Sequence, residues 1–205
     1  MDNIPGDDCL GSLPTKYNYR NFDNGIGSCP GDVVGISSGI TEIFRQFGLN
    51  EMISDKILRA LCYVYDKFKR NQVDDSICDY LYYWLGDRLI NNLKNRYEFN
   101  VVIYRLFDIF YKNNNYQFCF PRNTVMDFVY FQKTKLSFDY FKDYDKYILD
   151  LAKHNRSCKK NTLITLQYLS IIISSYIKSV LQNIMRINIF VNNFVLIINL
   201  RSTMN

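Results

Sequence analysis

The 205-residue sequence predicts an all-α fold, and three observations carry that prediction. Apolar residues recur at helical spacing through most of the chain, strand-type alternation is never sustained beyond a few residues, and the breaks between periodic stretches hold residues that end or begin helices. The expected architecture is an irregular N-terminal lead-in over residues 1–32, an antiparallel helical bundle over residues 33–158, and a poorly packed apolar tail over residues 159–205.

Residues 1–32 are rich in Gly, Pro, Asp and Asn and hold three of the four prolines, so no core helix is expected to start there. From Val33 to Phe47 a helix is expected, closed by Gly48 at the position where a helix end favours a left-handed residue. The clearest stripe follows, with Ile57, Leu58, Leu61, Val64, Tyr65 and Phe68 at i, i+3, i+4, i+7 spacing. Beyond the turn Asn71 to Asp74, with Asp75 or Ser76 as N-cap, Ile77, Leu81, Trp84, Leu85 and Leu89 repeat the pattern. A further helix is expected around Val101, Tyr104, Phe107, Ile109 and Phe110, and another from about Thr124 to Leu151, with a break near Lys142–Asp145.

Hydrophobic residues make up 48% of the chain and charged ones 22%, enough apolar surface to offset the ordering entropy of a fold. Alanine occurs only at Ala60 and Ala152, whereas Asn, Lys, Ile, Tyr and Phe abound. These favoured residues have A/T-rich codons, so the Asn clusters are given little structural weight and Asn113-Asn114-Asn115 is read as a loop. The formal charge of +5 and the pI of about 8.8 come from mixed charges and do not mark a nucleic-acid binder. The one dense basic run, Lys67-Phe68-Lys69-Arg70, reads as a solvated C-terminal helix turn.

After Lys160 the character changes. Leu163 to Ile177 carries no charge and Asn188 to Leu200 is again apolar. A membrane span needs about 20 apolar residues. The first stretch reaches that length only by taking in Lys178, and its hydroxyl residues and Gln167 dilute it, so membrane association is left open.

The residues for catalysis do not assemble. Histidine occurs once, as His154 in a polar context; no nucleophile–base–orienter set, metal-ligand cluster or Gly-rich phosphate loop is present, since Gly25-Ile26-Gly27 lacks its preceding strand and third glycine. No catalytic, cofactor-binding or metal-binding residue is assigned. Asp143, Asp145 and Asp150 read as a solvated helix face. Asn155-Arg156-Ser157 matches the N-glycosylation acceptor pattern at Asn155. Met1 to Leu10 holds three aspartates and no apolar run, so it does not read as a secretory signal.

Six dispersed cysteines, Cys9, Cys29, Cys62, Cys78, Cys119 and Cys158, form no C-x-x-C pair and fit either a disulfide framework or separate buried thiols. Cys62 and Cys78 lie on adjoining helices at unequal distances from the turn between them. The axial mismatch of roughly 7–8 Å, added to a helix separation of about 8–10 Å, keeps these two from bonding to each other. Tyr80, Tyr82, Tyr83 and Trp84 occupy one helical turn and point around its whole circumference. Such a turn belongs either in the middle of an aromatic core or partly outside as recognition residues.

These blocks resemble a known family. Leu13-Pro14-Thr15, then Ala60-Leu61-Cys62-Tyr63-Val64-Tyr65, then Cys78 to Leu89 with Cys78, Tyr80, Leu81, Tyr83, Trp84, Leu85 and Asp87 as its marked positions, are similar to successive blocks of Plasmodium Vir proteins, members of the Plasmodium interspersed repeat superfamily. Cys119, the run Phe138 to Asp145 and Cys158 resemble the rest of that module. The resemblance implies a helical, disulfide-bearing, non-enzymatic ectodomain without cofactors, with Cys29, Cys62, Cys78, Cys119 and Cys158 as candidate disulfide cysteines. It implies a variant surface antigen exported to the infected erythrocyte membrane or the parasite membrane system. Its role there would be antigenic variation and adhesion, with a host cell-surface protein or antibody as partner.

After Cys158 the resemblance is expected to stop. A/T-rich codons for Lys159 to Ile173, read one frame over, encode a Tyr-rich stretch of the kind the family carries there, so a frameshift or unspliced intron is expected to have produced the tail. The rival functional reading is an internal helical scaffold or trafficking protein at a parasite membrane, with free thiols in place of disulfides.

Overall fold

A computed structural model describes residues 11–25, 34–70, 76–112, 119, 128–152, 162–175, 177, 178, 181 and 182. The described residues are almost entirely helical and hold no strand, which is the all-α class expected. The elements are α1 (Pro14–Asn24), α2 (Val34–Gln46), α3 (Glu51–Lys69), α4 (Ser76–Asn92), a 3-10 turn (Arg96–Glu98), α5 (Phe99–Lys112) and α6 (Phe128–Ala152). A C-terminal helical segment follows at residues 162–175, 177, 178, 181 and 182.

α2 ends as its glycine predicts. Gly48 adopts φ 63°, its N–H donates to the Arg45 carbonyl at 3.3 Å, and the Leu49 N–H donates to the Phe44 carbonyl at 3.0 Å. This double bond pattern closes the helix, and the buried Leu49 and Phe44 supply the apolar contact that accompanies it. The very next residue opens α3, because the Asn50 side chain accepts from the Ile53 N–H at 2.9 Å. α3 then buries Ile57, Ala60, Leu61, Cys62, Val64 and Tyr65, and the basic run lies in its last turn and cap.

α4 is the centre of the molecule. It packs against α1, α3, α5 and α6, and buried residues appear on all its sides: Ile77, Tyr80, Leu81, Tyr82, Trp84, Leu85, Gly86, Leu89 and Ile90. A helix apolar all round must be surrounded. At Gly86 the surrounding is closest, because a Cβ there would land inside the Phe131 ring of α6.

Three expectations are corrected. The lead-in over residues 1–32 is not wholly irregular, since α1 forms within it and places Phe22 fully inside the core. Pro14 sits in the first turn, where its missing N–H costs nothing, and the chain leaves α1 at Gly25, where a Cβ would meet the Arg59 backbone carbon at 2.9 Å. α6 runs unbroken through Lys142–Asp145. α5 buries Phe99, Val102, Ile103, Leu106 and Phe107, while Val101 and Tyr104 face solvent. Phe110 side-chain placement and the Asn113-Asn114-Asn115 loop lie outside the described residues.

In the C-terminal helical segment Thr162 and Ile173 are buried, but Leu163, Ile164, Tyr168, Ile171, Ile177 and Leu181 are exposed. No helix among the described residues is long and apolar enough to cross a membrane.

Candidate functional site

The blocks that stand out in the sequence meet around α1. Leu13 occupies its N-cap position and offers no side-chain cap, so the free N–H groups of the first turn need another acceptor. Asp143 of α6 supplies it. The Thr15 N–H donates to Asp143 Oδ1 at 2.9 Å and the Thr15 hydroxyl donates to Oδ2 at 2.5 Å. One helical turn away on the same face of α6, Asp139 accepts from the Tyr19 hydroxyl at 2.6 Å and from Lys135 Nζ at 2.5 Å.

The far end of α1 is held by its own carboxylate. Asp23 accepts from Trp84 Nε1 at 3.1 Å, from the Arg88 guanidinium at 2.9 and 3.1 Å, and pairs with Lys56 at 2.9 Å. Arg88 also lies over the Trp84 ring, 5.6 Å from its centroid, and Phe22 meets that ring edge-on at 5.6 Å. Asp23 thus joins α1, α3 and α4 at one point.

The electrostatics follow from burial. Desolvation raises the Asp143 pKa, against the two Thr15 hydrogen bonds that favour the ionised form. Asp139 is raised for the same reason, against the Lys135 charge. Tyr19 is raised by burial and then by the Asp139 charge it donates to, and Tyr147 is pushed up to about 12 by burial and then by Asp143 and Asp139. The Asp143 and Asp139 carboxylates and the Tyr19 hydroxyl are hydrogen-bonded to protein partners, an arrangement that docks α1 on α6. Asp143 and Asp150 are buried, which corrects the reading of Asp143, Asp145 and Asp150 as one solvated face; of the three, Asp145 alone is exposed. Asp150 pairs with Lys146 at 3.2 Å.

The aromatic turn is core. Tyr80, Tyr82 and Trp84 are buried, and the half-buried Tyr83 stacks on Phe138 with centroids 4.3 Å apart. Tyr82 and Phe99 both meet the Phe131 ring edge-on, at 5.7 and 4.9 Å. Leu81 and Leu85 are fully buried, and the half-buried Asp87 accepts from Asn91. The recognition alternative for this turn therefore moves to other residues. Exposed aromatic and aliphatic side chains instead line α6, where Phe141, Tyr144 and Ile148 fall on one face and Leu149 beside them.

Cys78 is bonded to Cys119, with Cα atoms 5.1 Å apart. Cys62 is also disulfide-bonded, and not to Cys78, as the axial mismatch between α3 and α4 required. Cys119 is buried with φ 53°, a left-handed conformation uncommon for a residue with a side chain. Cys9, Cys29, Cys158, His154 and the Asn155 acceptor lie outside the described residues. The clasp made by Asp143, Asp139 and Asp23 escaped sequence reading, because the contacts that tie α1 to α3, α4 and α6 join residues 33 to 128 positions apart.

No curated protein and no solved structure matches the chain. The family model described as Plasmodium vivax Vir protein matches residues 13–188. The match begins at Leu13, where the clasped helix begins, and runs past Cys158 to residue 188. With the match spanning most of its length, the chain belongs to the Plasmodium Vir family.

Proposed function

We propose that the chain is a variant surface antigen of the parasite, a helical recognition module that meets host proteins or antibodies through the exposed face of α6. Membership of the Vir family over residues 13–188 is the observation that carries this reading. Two features of the molecule support it. The Cys78–Cys119 disulfide suits an oxidising, extracellular setting better than the free-thiol internal scaffold. The face carrying Phe141, Tyr144 and Ile148 presents large rigid side chains, two of them aromatic, the residue type that recognition surfaces favour. An ectodomain built this way varies outward residues without touching the α4 core, which is what antigenic variation requires of a scaffold.

The test is binding of immune IgG from infected hosts to the disulfide-intact protein, alongside protease shaving of intact infected erythrocytes. IgG binding that falls severalfold in the Phe141→Ser/Tyr144→Ser protein, with helical circular dichroism unchanged, supports the reading, as does loss of the chain on shaving. A chain protected from protease and unseen by immune IgG contradicts it.

A further inference from the structure

The charges of this chain are divided along its length. All 20 acidic residues lie at or before Asp150, and seven of the 25 basic residues follow it. The formal charge of +5 is therefore −2 over residues 1–150 and +7 over residues 151–205. That positive end includes the C-terminal helical segment, whose side chains divide by face. Thr162 and Ile173 turn inward, whereas Ile164, Tyr168 and Ile171, at i, i+4, i+7 spacing, stand out, with the exposed Leu163 and Leu181 on their flank. Tyr168 is 65% exposed and Ile171 70%. Lys178 is also exposed, seven residues on from Ile171 and so on the same side of the helix.

We propose that this segment is a membrane-surface site for anionic lipid, lying in the plane of the headgroups with Ile164, Tyr168 and Ile171 dipped into the acyl boundary. The occupant follows from shape and charge together. The exposed arc is the convex side of a helix with Ser and Gln between its apolar residues, which suits a deformable interface. Every ionisable carboxylate is absent from it, so nothing repels phosphate or serine headgroups, while Lys178 can bury its stem and keep its ammonium at headgroup level. No described helix can span a bilayer, so the segment would lie on the membrane and not through it. This proposal goes beyond the antigen reading and does not depend on it.

Sedimentation of the disulfide-intact full chain with vesicles tests it, comparing phosphatidylcholine alone with phosphatidylcholine holding about one third phosphatidylserine. The expected result is at least about tenfold tighter binding to the anionic vesicles, reversed by raising the salt. Ile171→Glu should weaken that binding by about tenfold and Lys178→Glu by severalfold, both with unchanged helical circular dichroism, since each side chain is exposed. Equal binding to both vesicle types, no binding to either, or an Ile171→Glu protein that binds as well as the parent would overturn the proposal. So would self-association through this face in sedimentation velocity without vesicle binding.

Discussion

At the scale of single residues, Gly86 reverses an ordinary expectation. Within an exposed helix, replacing Gly by Ala stabilises by roughly 1 kcal/mol, because Ala has less backbone entropy to lose. Here the added methyl would occupy the space of the Phe131 ring, and that ring is itself fixed between Tyr82, Tyr83 and Phe99. Gly86→Ala should therefore destabilise by about 1–3 kcal/mol in a denaturant melt. A gain in stability would show that α4 and α6 are not in contact at this point. Asp143 makes a second residue-scale prediction, this time in pH. Its folded pKa is raised, so the folded protein binds a proton more readily than the unfolded chain, whose aspartates titrate near about 3.9. The sign is the reverse of the common carboxylate case. The contribution of Asp143 to stability should rise as pH falls through the raised value towards about 4, and Asp143→Asn should remove that slope from melts run across the mildly acidic range.

At the scale of elements, α1 shows why part of the fold was not legible in advance. Its composition, PTKYNYRNFDN, is polar, and among the residues of the helix itself only Thr15 and Phe22 are buried. Periodicity could not reveal it. Pro14 in the first turn was a start signal available in the sequence, but the acceptors that complete the helix, Asp139 and Asp143, are on α6. The same pairing explains the unbroken α6. Asp143, inside the expected break, is buried in a continuous helix because Thr15, more than a hundred residues away, donates two hydrogen bonds to it. By contrast α3 and α4 were readable, since Leu61, Val64, Leu81, Trp84 and Leu85 are all in the core and local spacing alone places them there. α5 was located correctly but rotated. Its true stripe starts at Phe99, directly after the turn capped by Asn95, whose side chain accepts from the Tyr97 N–H. Two single asparagines, Asn50 and Asn95, act as caps.

The clasp on α1 has a measurable consequence. Asp23→Ala leaves Trp84 Nε1 and the Arg88 guanidinium without their acceptor in a partly buried setting, which should cost about 1–3 kcal/mol. Amide exchange over residues 14–24 should rise more than exchange in α4. Equal protection in the parent and the variant would mean that Phe22 and the Asp139 and Asp143 contacts hold the helix without Asp23.

At the scale of the whole molecule, the Cys78–Cys119 bond closes a sequence separation of 41 and ties the central helix to the chain beyond α5. By loop-closure entropy it stabilises by about 4 kcal/mol. Replacing both cysteines by Ser should lower stability by roughly 2–4 kcal/mol with helix content retained. An unchanged melting midpoint would show that this bond is absent in solution.

The aromatic block of this Vir family member builds the core, and the proposed recognition role falls to the outward faces around it. The chain contains a single tryptophan, Trp84, and it is 2% exposed, so its emission reports on that block alone. Tryptophan fluorescence of the native protein, with acrylamide quenching, is the direct measurement. Burial of Trp84 predicts emission well to the blue of the denatured chain and quenching that stays weak until the protein unfolds. Native emission coincident with that of the denatured chain, quenched as readily, would put Trp84 on the surface and contradict it.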